Sequence, residues 1–446
     1  MINLQRVIDI ALLIKNAMVY TGENEAKTGL SVLVEGNKIV AVTDDKAKVD
    51  AFAEKHKDDS DFSQINASGY LLMPGLVNTH THSPMTVLRN IGSDLTLQDW
   101  LFGEIIPREC NLIPENVYYG SMAAQMEMMR SGTTCFCDMY EPFEMLTKAT
   151  IDSGMRANIC TAGLHNDWST GEKRTYETFE KSAELFREYN CHDRLNIFFE
   201  MHSVYLYRQE WLYRIVENAK KYNTGIHMHL HETEREISEF MELNNGQRPT
   251  QFLEEIVAFD VKTVAAHCTH MNDDDIEILK KHDVNVAVNM TSNLKLGSGI
   301  PPLTRFLDAG INATLGTDGC ASNNNLNMFE EIHLAALLYK GLYKDPTLVK
   351  AKDVVNMATK NGACALVSEP CGIIKEGYLA DMILVDLSAI HLNPINDVNA
   401  LICYCMQGSD VDTTIINGKV VMKNKLFTAI DEEKIMYEVK NIKLHK

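Results

Sequence analysis

The chain has 446 residues, a hydrophobic fraction of 45%, a charged fraction of 23% and a formal net charge of −19. These fractions are typical of a globular protein, and the length predicts one large domain with a smaller one beside it. The acidic balance argues against nucleic acid and against an anionic membrane surface as partners, because both attract clustered Lys and Arg.

Neither export nor membrane insertion is indicated by the sequence. The apolar stretch VIDIALLIKNAMVY is broken by Asp9 and Lys15. No uncharged run reaches the roughly 18 residues that a membrane-spanning helix needs. The eleven cysteines do not follow the spacing of a zinc ribbon or of a disulfide framework. We therefore expect a cytoplasmic protein whose cysteines are reduced and buried.

Both ends of the chain are predicted to form β-strands. Near the N-terminus the strand-like segments are ALLIKNAMVYTG and GLSVLVEGNKIVAV, the second with a hairpin-like turn at EGNK. Near the C-terminus they are GYLADMILVDLS and DVDTTIINGKVVMKNKLF, the second turning at Asn417-Gly418. Since two β-rich ends enclose a different middle, we predict that residues 1–70 and 371–446 together build a small β-sandwich domain.

The middle of the chain, residues 71–370, alternates between predicted strands and predicted helices. The strand-like segments are 71–82, 133–139, 156–164, 194–203, 224–232, 262–268, 284–290 and 311–318. Helical patterns such as ENVYYGSMAAQMEMMRSG and DDDIEILKKH separate them. Eight such units favour a closed (β/α)₈ TIM-type barrel. An open, doubly wound sheet is the alternative, but no G-x-G-x-x-G turn follows the first strand.

Side chains that could bind a metal collect where these strands end. They are His80 and His82 on the first strand, His202 on the fourth, His229 and Glu232 on the fifth, His267 on the sixth and Asp318 on the eighth. The active site of a (β/α)₈ barrel lies at the C-terminal ends of its strands. A lone strand histidine is usually a packed core residue, but its repetition at one end of the barrel favours a site. Mixed nitrogen and oxygen ligands suit Zn²⁺, with Fe²⁺ or Mn²⁺ as alternatives.

The fifth strand, IHMHLHET, carries histidines at three alternating positions, His227, His229 and His231. Side chains alternate along an extended strand, so all three point to one face. The spacing therefore does not choose among them.

Several segments closely resemble the amidohydrolase superfamily: MPGLVNTHTHSPMTVLR, HLHETERE, VAAHCTH, SNLKLGSGIPP and LGTDGCASNNNLNMFEE. Within the superfamily the chain is similar, over nearly its whole length, to the 5′-methylthioadenosine/S-adenosylhomocysteine deaminases and their chlorohydrolase relatives. The fifth-strand motif of that family is His-x-x-Glu. Only His229 stands three residues before Glu232, so the resemblance implies His229 as a ligand and His227 and His231 as packing or supporting groups.

The resemblance also implies a metal set and an acid–base set. The implied ligands of one divalent metal, with Zn²⁺ preferred, are His80, His82, His229 and Asp318. Binuclear branches of the superfamily use a carbamylated Lys at the end of strand four, and RLNIFFEMHSVYL has none. In the implied chemistry Asp318 takes a proton from the metal's water, Glu232 protonates the substrate ring, and His267 steers or polarises the water.

The implied substrate contacts are Glu232 together with three further residues. Glu109, in IIPREC, matches a ribose-binding carboxylate, and His202 matches a contact to the purine ring. Arg174, in STGEKR, lies near where homocysteine-binding members place an Arg for the substrate carboxylate. The chain departs from the family in ICTAGLHN, where Ala162 replaces a second such Arg. An Ala cannot pair with a carboxylate, so a substrate with a small, uncharged 5′ group is favoured.

The expected function is the deamination of 5′-methylthioadenosine, S-adenosylhomocysteine, 5′-deoxyadenosine or adenosine, giving the inosine analogue and ammonia. One alternative is an amidohydrolase of another aminated or chlorinated heterocycle, such as a guanine-like base or a triazine. A remote alternative is a non-catalytic scaffold relative, although such relatives usually lose metal ligands that are present here. A small-molecule substrate and a homo-oligomer are expected.

Overall fold

The computed structural model describes residues 10–23, 25–161, 182–189, 192–205, 207 and 209–444. Two sheets organise them: an eight-stranded parallel sheet, and a nine-stranded sheet that both ends of the chain contribute to. The predicted architecture, a (β/α)₈ barrel with a second β-rich layer from the two chain ends, is confirmed. Within the described residues, no helix combines the length and the apolar character that crossing a membrane requires.

The N-terminal residues form the first part of the nine-stranded sheet. Its strands are β1 (Ala11–Val19), β2 (Lys27–Glu35), β3 (Lys38–Thr43), β4 (Phe62–Asn66) and β5 (Tyr70–Pro74). β1 pairs antiparallel with β2, which returns through the predicted turn to β3, and β1 also pairs parallel with β4 and β5. Apolar residues of these strands, among them Leu12, Ile14, Val32 and Leu72, form a buried core together with residues from the C-terminal part of the chain, such as Leu384.

The barrel strands follow in chain order. They are β6 (Leu76–Thr81), β7 (Thr133–Met139), β8 (Arg156–Thr161), β9 (Leu195–Met201), β10 (Ile226–Leu230), β11 (Thr263–His267), β12 (Asn285–Val288) and β13 (Ala313–Leu315). Each pairs parallel with the next. The first and last strands meet where the hydroxyl of Thr79 donates to the carbonyl of Leu315 at 2.8 Å and the Asp318 N–H donates to the carbonyl of His80 at 2.9 Å.

The segment 71–82, expected to be one strand, is two. β5 pairs with the nine-stranded sheet and ends at Pro74, whereas β6 begins at Leu76 and belongs to the barrel. Gly75 lies between them, and a Cβ there would come within 2.2 Å of the Thr134 side chain. A continuous apolar run gave no sign of this change of sheet, because both strands are buried.

Helices connect the strands. They are α1 (Lys46–His56), α2 (Leu97–Trp100), α3 (Ile106–Glu109), α4 (Pro114–Arg130), α5 (Phe143–Ser153), α6 (182–189), α7 (Gln209–Tyr222), α8 (Glu234–Leu243), α9 (Pro249–Glu255), α10 (Asp273–Lys281), α11 (Met290–Lys295), α12 (Leu303–Ala309), α13 (Met328–Tyr343), α14 (Ala351–Asn356), α15 (Gly362–Leu366), α16 (Val398–Tyr404) and α17 (Glu432–Asn441). Sequence signals explain their limits: α10 begins after the capping side chain of Asn272, has acidic residues in its first turn and ends in Lys280 and Lys281.

The C-terminal residues complete the nine-stranded sheet with β14 (Met382–Asp386), β15 (Val411–Ile416), β16 (Lys419–Lys423) and β17 (Leu426–Phe427). β14 pairs antiparallel with β5, so the two ends of the chain meet in the middle of this sheet. A buried ion pair ties the sheet to the barrel. The Arg156 guanidinium on β8 donates to Asp381 at 2.6 and 3.2 Å and to Asn417 at 2.9 Å. The domain limits at residues 70/71 and 370/371 stay a prediction.

Candidate active site

Strand ends on three sides of the barrel bring the predicted metal ligands to one point. His80 and His82 come from the end of β6, His229 from β10 and Asp318 from the turn after β13. The Nε2 atoms of His80 and His82 each lie 3.4 Å from Asp318 Oδ1, and the Nε2 atoms of His82 and His229 are 3.2 Å apart. All four side chains are buried.

Unusual backbone conformations make this convergence possible. A Cβ at Gly316 would lie 2.5 Å from Asn289 Oδ1 and 2.9 Å from His80 Cβ, so only glycine lets β13 approach β6 this closely. Asp318, His267 and His231 have φ values of +64°, +73° and +51°. Such left-handed conformations cost about 1–3 kcal/mol each in non-glycine residues. The fold therefore accepts a cost in stability that places Asp318 and His267 at the mouth of the barrel.

Hydrogen bonds on Nδ1 set the orientation of the histidine rings. His82 Nδ1 lies 2.6 Å from the carbonyl of Met139, and His229 Nδ1 lies 2.7 Å from the carbonyl of His202. A carbonyl only accepts, so both rings carry their proton on Nδ1 and present a lone pair at Nε2. His80 Nδ1 instead lies 2.8 Å from Nε2 of His227.

These residues fit a divalent metal. The lone pairs of His82 and His229 face each other, and among the described residues His80 Nε2 has no hydrogen-bond partner. Without a cation such an arrangement is repulsive. The distances of 3.2–3.4 Å between these donor atoms match the edge of about 3.3 Å that a tetrahedron of nitrogen and oxygen ligands has around Zn²⁺.

Asp318 is held as an ionised carboxylate. Its Oδ2 accepts hydrogen bonds from the hydroxyls of Ser292 at 2.6 Å and Ser322 at 2.8 Å, and Oδ1 accepts from the Gly319 N–H at 2.8 Å while facing the histidines. Burial acts to raise the pKa of Asp318, but the nearby imidazoles, His80 first and then His82 and His267, outweigh it and hold the pKa well below its usual range.

Glu232 lies beside this set with the opposite tendency. Burial and the negative charge of Asp318 raise the pKa of Glu232, although His267 and Ser298 oppose them. Its Oε1 accepts from the Ser298 hydroxyl at 2.9 Å, and its Oε2 lies 3.8 Å from His267 Nε2. Burial acts to lower the pKa of His267, but Glu232 and Asp318 raise it overall. Two carboxyls with pKa values moved in opposite directions are the arrangement that acid–base chemistry needs.

Of the other predicted substrate residues, the structure describes His202 and Glu109, and both lie near the same end of the barrel. The His202 ring centroid is 4.4 Å from that of His229. The Tyr140 hydroxyl donates to Glu109 at 2.6 Å, and Tyr140 follows Met139, whose carbonyl holds His82. Arg174 and Ala162 lie outside the described residues.

Residues 71–421 match the Amidohydrolase family. The chain belongs to this family. It is 47% identical over 381 residues to the 5-methylthioadenosine/S-adenosylhomocysteine deaminase of Acetivibrio thermocellus, covering 85% of this chain and 87% of that protein. It is 41% identical to the 5′-deoxyadenosine deaminase of Methanosarcina barkeri, covering 95% and 96% of the two chains. A zinc-bound adenosine deaminase from Xanthomonas campestris superposes with a TM-score of 0.89 at 30% identity, covering 97% of each chain.

The two histidines that flank His229 in this amidohydrolase, His227 in β10 and His231 just after it, stand apart from the four donor atoms. His227 lies behind His80, with its ring stacked on it at 5.0 Å. His231 Nε2 lies 3.1 Å from the Thr250 hydroxyl, and its Nδ1 lies 3.3 Å from Arg248. No Lys occurs in β9 or directly after it. His229 therefore differs from His227 and His231 in lying against His82, whose Nε2 faces Asp318, and its role as a ligand, which the family resemblance implies, stays a prediction.

Sequence reasoning missed the polar residues that support the amidohydrolase site. The hydroxyls of Ser292, Ser298 and Ser322 donate to the carboxylates of Asp318 and Glu232, and Asn293 Oδ1 lies 2.7 Å from His267 Nδ1. Three of them lie in the segment SNLKLGS, which carried the family resemblance. Their individual roles had no signal, because serines and asparagines are common in loops.

Proposed function

We propose that the protein is a metal-dependent deaminase that hydrolyses adenosine-type nucleosides to the inosine analogue and ammonia. The convergence of the Nε2 atoms of His80, His82 and His229 on Asp318, with Glu232 beside them, carries this proposal. The chain is a hydrolase of C–N bonds in cyclic amidines, the class of bond that holds the amino group of an adenine ring. Relatives named for the deamination of adenosine-type nucleosides support this substrate class.

The metal is proposed to be one divalent ion per chain, Zn²⁺ first and Fe²⁺ or Mn²⁺ as alternatives. A bound ion of this kind polarises water and makes a nucleophile available near neutral pH. The nitrogen and oxygen donors favour Zn²⁺, and the structural relative from Xanthomonas campestris contains zinc. The missing Lys at the end of β9 supports one ion rather than two.

The protein's own groups divide the proton transfers. Asp318, ionised because its pKa is low, accepts a proton from the attacking water. Glu232, whose raised pKa favours the protonated carboxyl, donates to the ring nitrogen next to the attacked carbon and then assists the departure of ammonia. His267, whose pKa the carboxylates of Glu232 and Asp318 raise, is proposed to orient the water. The Ser298 hydroxyl keeps Glu232 pointed at the substrate.

Substrate selection is proposed to come from the strand ends and their loops. His202 contacts the purine ring, and Glu109, fixed by Tyr140, binds the ribose hydroxyls. Arg174 is the proposed partner for a 5′ carboxylate where one is present. Because Ala162 replaces a second Arg of the S-adenosylhomocysteine-binding pattern, the preferred substrate has a small, uncharged 5′ group, such as 5′-deoxyadenosine or 5′-methylthioadenosine.

The test compares kcat/KM for 5′-deoxyadenosine, 5′-methylthioadenosine and S-adenosylhomocysteine, with ammonia release as the readout, before and after chelation and return of Zn²⁺. We expect the first two to be better substrates. We also expect Ala162→Arg to improve S-adenosylhomocysteine alone, since one charge-assisted hydrogen bond contributes about 1.5–3 kcal/mol, or roughly 10- to 150-fold.

Three results would contradict the proposal. If S-adenosylhomocysteine is already the best substrate and Ala162→Arg does not improve it, the argument about the 5′ group is wrong. If the chelated enzyme stays fully active, the metal is not required. If none of the three nucleosides releases ammonia, while guanine or a triazine does, the function belongs to the other heterocycles that the family resemblance left open.

A further inference from the structure

The three histidines of the donor set differ in what holds their second nitrogen. The Nδ1 atoms of His82 and His229 each face a backbone carbonyl, which accepts and never donates. His80 Nδ1 faces Nε2 of His227, an atom that either donates or accepts according to where the His227 proton lies. The backbone therefore fixes two tautomers, and a side chain decides the third.

The position of the ring proton on His80 determines the position of the ring proton on His227. A nitrogen that binds a metal must be unprotonated, so His80 with Nε2 at the metal carries its proton on Nδ1 and donates it to His227 Nε2. His227 then accepts at Nε2, and its own proton lies on Nδ1. The reverse arrangement, with His227 donating, places a proton on His80 Nε2 and closes that atom to the metal.

Two sulfur atoms lie on the far side of His227. The Cys137 and Cys160 sulfurs, on the neighbouring strands β7 and β8, are 3.5 Å apart. A ring nitrogen of His227 lies within 4.8 Å of both. His80 occupies Nε2, so Nδ1 is the nitrogen left for the sulfurs. All three side chains are buried, and among the described residues His227 Nδ1 has no hydrogen-bond partner.

We propose that His227, Cys137 and Cys160 form a relay that holds the His80 proton on Nδ1 and so keeps Nε2 open for the metal. The proposed acceptors for His227 Nδ1–H are the two sulfurs, which lie within 4.8 Å of a His227 ring nitrogen, and His227 Nε2 accepts from His80. This inference rests on the proposed function, because it needs a metal at His80. The three are positioning residues, since none of them reaches the metal or the substrate.

The relay excludes a second use of the same atoms. If a thiophilic cation bound the two sulfurs and His227 Nδ1, the His227 proton would move to Nε2 and be donated to His80 Nδ1. His80 would then hold a proton at Nε2 and leave the donor set. With neutral imidazoles, the two sulfurs therefore either support the metal that His80 binds or bind a metal of their own.

The test measures the Zn²⁺ affinity of the full-length protein by competition with a chelator. Removing such a supporting partner typically costs about 10- to 100-fold in metal affinity, and we expect His227→Leu to lose that much. His227→Gln, whose amide oxygen accepts from His80, is expected to recover most of it. Cys137→Ala should weaken binding less than His227→Leu, and Cys137→Ser less again.

His231→Leu is the matched control, because His231 follows the same strand, is equally buried and has no contact with His80. Its Zn²⁺ affinity should equal that of the wild type. Urea unfolding of the metal-free proteins separates metal affinity from folding. If His227 had a merely structural role, His227→Gln and His227→Leu would each lower the Zn²⁺ affinity and the free energy of unfolding together, and the two variants would not differ in Zn²⁺ affinity.

Two outcomes overturn the relay alone. One is a His227→Leu protein that binds Zn²⁺ as tightly as the wild type while the wild type deaminates nucleosides normally. The other is thiolate-to-metal charge-transfer absorption in the Co²⁺-loaded wild type that disappears in Cys137→Ser. The donor set that contains His80 has no sulfur, so such a band would show that the metal binds the cysteines. A wild type that binds no divalent metal overturns the relay and the proposed function together.

Discussion

The mouth of the barrel and the contact between the barrel and the nine-stranded sheet both bury charged groups, but in opposite ways. At the contact, Arg156 donates two hydrogen bonds to Asp381, one to Asn417 and one to the carbonyl of Asp193. At the mouth, the lone pairs of buried histidines face each other. The contact therefore satisfies its buried charges within the protein, whereas the mouth leaves histidine lone pairs facing one another, as the proposed metal site requires.

The largest effect is expected at the mouth. His229→Ala should remove the divalent metal and with it all measurable deamination, because one of four converging donors is lost. His227→Ala and His231→Ala should remain loaded when Zn²⁺ is supplied in excess. Elemental analysis of the three purified variants checks this. If His231→Ala loses the metal and His229→Ala keeps it, the assignment of ligands on β10 is wrong.

The next effect is expected at the contact and concerns stability. Arg156→Ala leaves Asp381 as a buried charge without its partner, which costs about 3–5 kcal/mol, measurable as a shift of the urea midpoint. The double variant Arg156→Met with Asp381→Leu should recover most of the loss, because no lone charge remains. A single variant that unfolds at the wild-type urea concentration would show that the contact contributes nothing, and the contrast with the mouth would fail.

The smallest of the three effects separates chemistry from binding within the mouth. Glu232→Gln should keep the metal and the stability of the fold but lose at least about 10²-fold in kcat, the usual scale for a missing acid–base group. The amide is nearly isosteric and cannot donate an acidic proton. Elemental analysis and a urea titration serve as controls, and near-normal turnover would mean that the proton reaches the ring by another route.

Period and order in the sequence were enough to predict the barrel and to place histidines and carboxylates at one end of its strands. Strand-like segments alternating with helices required a parallel sheet, and the C-terminal ends of its strands had to meet. Strand alternation could not separate His229 from His227 and His231, and only the His-x-x-Glu motif of the resembling family did. The ligand assignment stays a prediction, whereas the barrel was predictable because strand length and register leave little freedom to its strands.

Contacts across the barrel were beyond such reasoning. His80 and His227 are 147 residues apart and touch only because the strands close into a barrel. Glu236, on the first turn of α8, accepts from the N–H groups of His231 and Glu232 at 3.2 and 3.0 Å. Burial and the neighbouring Glu232 raise its pKa to about 7. In the sequence it is one more acidic residue in HETERE, which is the ordinary composition of a helix start.

The division of the nine-stranded sheet between the two chain ends has a consequence for biosynthesis. β5 pairs with β14, and Pro74 lies opposite Met382. At about 5–20 residues per second, a ribosome needs roughly 15–60 s to make the chain between these two residues. Throughout that interval β5 presents an apolar open edge, the kind of surface on which nascent chains associate wrongly. The barrel strands emerge in spatial order and each pairs with the next, so only β6 also depends on a distant partner, β13. Chaperone demand during synthesis should therefore fall on β5 and β6, whose last partners are made late, rather than on the strands between β6 and β13.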